Sequence, residues 1–144
     1  MNKIFIIEDD LNILYGMRDI FASNDYEVEI SDSNEELDDL LGKIKKLKPD
    51  VIILDIVLPK LDGSEIVKKI KEDDSTNNAE IFIFTDLSDE DGRTRSVGLG
   101  ANYYFMKNEF DIYSFSNKVM RVMSRGEKNF SEDNQDDTDG LVMD

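Results

Sequence analysis

The chain has 144 residues, 33 acidic and 17 basic, and contains no His, Cys or Trp. That length suits one domain with a core of its own, and the missing residue types exclude Ser-His or Cys-His nucleophile pairs, thiolate or imidazole zinc sites, disulfides and a histidine phosphocarrier. A formal charge of −16 argues against a nucleic-acid partner, which would call for clustered Lys and Arg.

The elements follow in chain order. Lys3–Ile7 (KIFII) reads as a strand covered on both faces. Asp10 then suits the N-cap of a helix marked by Leu14, Met17 and Phe21. Tyr26–Ile30 (YEVEI) alternates with Glu, as an edge strand does. Leu37, Leu40, Leu41, Ile44 and Leu47 repeat at helical spacing, and Ser33-x-x-Glu36 reads as the capping box that opens this second helix. Pro49 precedes a third strand, Val51–Leu54 (VIIL), and Asp62-Gly63 reads as a turn before a helix marked by Ile66, Val67 and Ile70. A fourth strand, Ile81–Thr85 (IFIFT), leads to a fourth helix opened by Ser88-x-x-Asp91. The stripe of that helix, Val97 and Leu99, is short, and its Arg93 and Arg95 read as solvated charges. Asn102–Met106 (NYYFM) is the fifth strand, and Ile112, Phe115, Val119 and Val122 mark a fifth helix ended by Gly126.

Five βα units of this kind predict an α/β fold, a doubly wound parallel sheet with helices on both faces, over residues 1–125. Residues 126–144 hold seven acids and one base and show no helical or strand period. They are expected to form an acidic, disordered C-terminal tail. Leu141, Val142 and Met143 read as part of a solvated terminus ahead of a docking motif. No apolar run nears the roughly 18 residues of a membrane span, and no signal-peptide pattern opens the chain, so a soluble, cytoplasmic protein is expected.

In an open parallel sheet, ligands bind at the carboxyl ends of the strands, beside the point where strand order reverses. The residues there are Glu8 and Asp9 after the first strand, Asp55 after the third, Thr85 closing the fourth and Lys107 after the fifth. Taken singly, an acid at a strand end is more often a helix cap, Lys107 a solvated lysine and Thr85 a β-branched strand residue. Convergence changes that. Three crowded carboxylates repel unless a cation joins them. With only oxygen ligands at hand the cation is a hard one, Mg²⁺ before Ca²⁺. Such an ion can bind a phosphoryl oxygen, and an Asp carboxylate can accept a phosphoryl group.

The motifs KIFIIEDD, PDVIILDIVLPKLDG, IFIFT and GANYYFMK resemble those of the receiver domain of two-component response regulators, of the single-domain kind, over residues 1 to about 125. The resemblance implies a five-stranded parallel sheet in the flavodoxin-like order 2-1-3-4-5. It implies that Asp55 is the phosphoacceptor and that Glu8, Asp9, Asp55 and the Val57 backbone carbonyl hold Mg²⁺. It further implies that Thr85 and Lys107 contact the phosphoryl group, and that Thr85 and Tyr104 act as the switch pair; adjacent Tyr103 reads as a packing residue. The partners implied are a sensor histidine kinase or phosphotransfer protein and a downstream effector protein, which meets a surface of the fourth helix, fifth strand and fifth helix. Neither direct DNA binding nor membrane insertion is expected, and the chain is expected to be a monomer or weak dimer. Catalysis is limited to its own phosphorylation and dephosphorylation.

Three departures from the family pattern stand out. Lys107 is followed by Asn108 where the family usually has a cis-proline, so either strain is retained or the loop changes shape. Asp86 stands where the family commonly has a small residue. It reads equally as a group that repels a phosphodonor or as a solvated acid. Val57 and Leu87 are apolar two residues beyond Asp55 and Thr85; in the family the chain resembles these positions tune hydrolysis, so the resemblance implies a long-lived phosphorylated state, shielded from water. The competing readings are a pseudo-receiver, acting as a phosphorylation-independent interaction module, and a Mg²⁺ phosphohydrolase. The latter needs a second acid two residues after its nucleophile, where this chain has Val57.

Overall fold

The computed structural model describes residues 2–86, 93–94, 98–127 and 141–142. Its strands bury alternate residues on opposite faces, as the pleat requires. In β1 (Lys3–Ile7), Phe5 and Ile7 enter one core cluster and Ile4 and Ile6 the other. The same alternation runs through β3 (Val51–Leu54) and β4 (Glu80–Thr85). These apolar runs are therefore two-sided core strands, whereas β2 (Glu27–Ser31) carries its exposed Glu27 at the sheet edge.

One face is covered by α1 (Leu11–Ala22) and a C-terminal helix (Ile112–Glu127). Leu14, Met17 and Phe21 pack there with Phe115, Val119 and Met123 against Phe82, Phe84 and Phe105. Phe84 and Phe115 stack with ring centroids 4.0 Å apart. The other face is covered by α2 (Leu37–Leu47) and α3 (Gly63–Glu72), through Leu40, Ile44, Leu47, Ile66, Val67 and Ile70. Residues 93–94 and 98–99 are helical; the rest of the fourth expected helix, with its Ser88-x-x-Asp91 box, Leu87, Arg95 and Val97, lies outside the described residues. Among the described residues no helix is long and apolar enough to cross a membrane.

The five parallel strands, completed by β5 (Tyr103–Met106), stand in the expected order 2-1-3-4-5. A sixth strand, β6 (Leu141–Val142), adds antiparallel to β5. This corrects the expectation of an unpaired tail for those two residues, because the open edge of β5 supplies backbone partners that no local period announces. Two local signals also resolve differently. Ser33 does not cap α2: the N-cap is Glu36, without a side-chain cap bond, while Ser33 is buried at φ 68° and its N–H donates to Ser31 Oγ. Gly126 does not end the last helix, which runs through Glu127.

Candidate functional site

Register places the site. Ile7 pairs with Leu54, so the next residues, Glu8 and Asp55, leave the sheet side by side at its C-terminal edge, between the two strands where connection direction reverses. The Asp55 N–H donates to Ile7 O at 3.1 Å and fixes that step. Thr85 lies opposite Met106, and the Lys107 N–H donates to Thr85 O at 2.8 Å, which brings Lys107 to the same edge. Asp10 starts α1 as its N-cap, accepting from Asn12 N at 3.0 Å and Ile13 N at 3.3 Å, so the chain turns away immediately after the acidic pair.

Asp55 is the hub. It is 6% exposed, and its Oδ1 accepts from the Val57 N–H at 3.0 Å and from Thr85 Oγ1 at 2.8 Å. Its Oδ2 accepts from Lys107 Nζ at 2.8 Å. The same ammonium pairs with Glu8 Oε1 at 2.9 Å and lies 6.0 Å above the centre of the Phe84 ring. Glu8 Oε2 accepts from the Asp10 N–H at 3.0 Å.

The electrostatics follow from burial. Glu8 is pushed up to about 7 by its desolvation, with the Asp55 charge adding, against the Asp10 amide and Lys107. For Lys107 burial is the largest influence and acts downward, yet hydrogen bonds to Asp55 and Glu8 together outweigh it and hold the ammonium above its ordinary range. Asp9 is exposed and supplies the third carboxylate: oxygens of Glu8, Asp9 and Asp55 lie within 4.8 Å of one another. One lysine does not balance three such acids, and every donor is a hard oxygen, so the group fits a divalent hard cation.

The structure thus brings together Glu8, Asp9, Asp55, Thr85 and Lys107. Tyr104 is packed into the core. It is 1% exposed within the cluster that includes Leu54 and Ile83, while Tyr103 stacks on Phe82 at 4.4 Å from the opposite face. Val57 contributes its amide to Asp55, and its side chain is 56% exposed. Asp86 is exposed. There is no cis peptide among the described residues, and Lys107, followed by Asn108, reaches both acids.

Two features of the site escape a motif reading. Phe84 beneath the ammonium looks like any core strand residue. Gly63 reads as a turn glycine, yet Asp62 is the N-cap of α3, accepting from the Ser64 N–H at 2.9 Å. A Cβ on Gly63 would fall 2.6 Å from both Cα and O of Ile56, the residue after Asp55. The Asp-Gly pair therefore allows α3 to start against the loop that carries the hub carboxylate.

A doubly wound sheet with this acid, hydroxyl and amine set at its reversal point defines a class of signalling domains. The chain belongs to the response regulator receiver domain family, whose pattern matches residues 4–115. It is similar to the transcriptional regulatory protein YdfI of Bacillus subtilis, 29% identical over 113 residues that cover 75% of this chain and 49% of that protein. The chain therefore spans about half the length of that relative. Among solved structures it resembles the signal receiver domain of a DNA-binding response regulator from Colwellia psychrerythraea, with a TM-score of 0.73 at 25% identity over 86% of this chain and 99% of that one. It also resembles the BeF3-activated receiver domain of DrrB, a Thermotoga maritima protein, with a TM-score of 0.72 at 27% identity over 87% of this chain and 99% of that one.

Proposed function

We propose that this receiver is a phosphorylation switch with Asp55 as its phosphoacceptor. An Asp55 carboxylate oxygen forms an O–P bond as the N–P bond of a phosphohistidine, on a sensor histidine kinase or phosphotransfer protein, breaks. The departing imidazole keeps the bonding pair and is protonated from water. The observation that carries this reading is the double capture of Asp55 by Thr85 Oγ1 and Lys107 Nζ, each at 2.8 Å. Both donors meet the carboxylate that would carry the phosphoryl group, and a short movement of each would bring it to the phosphoryl oxygens.

Mg²⁺ fits the acidic group; Glu8, Asp9 and Asp55, with the Val57 carbonyl, would hold it. When bound, it supplies the positive charge that offsets the phosphoryl oxygens. Thr85 exchanges its hydrogen bond to Asp55 for one to the phosphoryl group, and Lys107 redirects one of its two carboxylate contacts in the same way. The displacement of Thr85 is read by Tyr104, two residues before Met106, its partner across the ladder. An effector protein then senses the face formed by the fourth expected helix, β5 and the C-terminal helix. Chemistry is confined to transfer onto and hydrolysis from Asp55, in the cytoplasm, and the chain is a switch and not a metabolic enzyme.

The test is intact mass after incubation with acetyl phosphate and Mg²⁺, for wild type, Asp55→Asn and a metal-free control. One phosphoryl adduct that requires both Asp55 and Mg²⁺ supports the switch. No adduct, together with no binding of beryllofluoride, overturns it in favour of a phosphorylation-independent interaction module.

A further inference from the structure

The switch reading uses the C-terminal ends of the strands and the face to which β5 contributes, and it says nothing of strand pairing along the backbone of β5. The two sides of the parallel sheet are unlike. β2 reads Glu-Val-Glu-Ile-Ser, with charges that discourage pairing, whereas β5 reads Tyr-Tyr-Phe-Met, without a charge. An uncharged edge strand presents unpaired N–H and C=O groups that invite a further strand. In this structure the guest is the chain's own Leu141–Val142, antiparallel, with Val142 opposite Tyr103 and Leu141 opposite Tyr104.

We propose that the β5 edge is a strand-addition site whose resident occupant is the chain's own segment Leu141–Val142. This internal strand competes with any extended partner segment that pairs with Tyr103–Met106. Three observations favour it as the occupant. The register falls on Tyr103 and Tyr104, so the guest closes the backbone of the strand that delivers Lys107 to the site. Thirteen residues separate Glu127, the end of the C-terminal helix, from Leu141, a tether that reaches about 45 Å when extended. Within residues 131–140 there are five acids, no base and no apolar side chain, and Leu141-Val142-Met143 is the apolar run that follows.

The length of the guest sets its behaviour. Two paired residues on a tether of this length compete at an effective concentration on the order of millimolar. With only two residue pairs to break, a longer partner strand that pairs along more of Tyr103–Met106 can displace the guest. The pairing itself needs no phosphoryl group, and its test reads backbone exchange without a phosphodonor.

Amide hydrogen exchange followed by NMR on the full chain tests it, comparing wild type with the Leu141→Pro/Val142→Pro double variant, which cannot sustain the pairing. The expected result is that outward-facing β5 amides exchange about tenfold faster in the variant while those of Ile81–Phe84 are unchanged. A peptide of residues 137–144 then restores protection to the variant in a dose-dependent way. Equal β5 exchange in the two proteins overturns the proposal. So does protection that grows with protein concentration alongside a dimer in light scattering, because the strand would then come from a second copy.

Discussion

Lys107 Nζ stands 2.9 Å from Glu8 Oε1 and 2.8 Å from Asp55 Oδ2, so a single ammonium bridges the two buried carboxylates of the site. Neither acid has another cationic side chain among its hydrogen bonds and ion pairs in the described residues. Removing one partner of a buried pair strands the other charge, at a cost of several kcal/mol. Lys107→Met is therefore expected to lower stability by about 3 kcal/mol in metal-free buffer at pH 8, read from urea denaturation. Millimolar Mg²⁺ should recover part of that loss, since a cation answers the same two acids. A variant as stable as wild type without metal would show that the bridge carries no net stabilisation.

A pH dependence follows from Glu8. Its folded value, about 7, lies above its ordinary 4.5, so between these limits the native state binds the proton that the unfolded chain has released. Stability is linked to that difference with a negative slope: the contribution is complete below pH 4.5 and lost as pH rises through 7. The shift corresponds to about 3 kcal/mol. Metal-free wild type is expected to become easier to denature in urea between pH 5 and 8, and Glu8→Gln should flatten that slope. Because a cation needs the ionised carboxylate, Mg²⁺ binding followed by calorimetry should strengthen over the same range and release protons. A wild-type profile as flat as that of Glu8→Gln would refute the assignment to this residue.

The site was legible because a parallel sheet turns sequence position into spatial position. Once the apolar runs are recognised as strands, Glu8, Asp55, Thr85 and Lys107 must share one edge. What stayed hidden depended on competition between local partners or on distant ones. Ser33-x-x-Glu36 has the spacing of a capping box, but Ser31 Oγ takes the Ser33 N–H at 3.0 Å and itself donates to Glu35. That turn sends Ser33 into the left-handed region, and the N-cap falls to Glu36. Gly126 signals a helix end only where the chain actually reverses, and here the helix continues through it. Leu141–Val142 is too short to show a strand period; its pairing is dictated by β5, far away in sequence.

Two glycine substitutions should move stability in opposite directions. At Gly63 a methyl group meets the Ile56 backbone at 2.6 Å, and backbone cannot rotate away. Gly63→Ala is expected to cost roughly 2–3 kcal/mol and, by shifting the loop next to Asp55, to slow adduct formation as well. Gly42 lies exposed in α2, with nothing within 4 Å of an added Cβ. Gly42→Ala should stabilise by about 0.5–1 kcal/mol and leave phosphorylation untouched. Urea midpoints for the two variants provide the measurement, and a Gly63→Ala protein as stable as wild type would mean that the loop yields freely.

The lifetime of the phosphorylated state should depend on Val57. Its amide is committed to Asp55 Oδ1 at 3.0 Å, while its side chain is 56% exposed and offers no hydrogen bond to water. Hydrolysis of an acyl phosphate needs a water molecule aligned with the phosphorus opposite the Asp55 oxygen, and a valine at this position cannot hold one. Val57→Gln keeps the backbone amide and adds a side chain able to orient water, so decay of the adduct, followed by intact mass after donor removal, should quicken several-fold. The rate of adduct formation should change less, since Asp55, Thr85 and Lys107 are untouched. An unchanged decay rate would mean that water reaches the phosphorus by a route on which residue 57 has no influence.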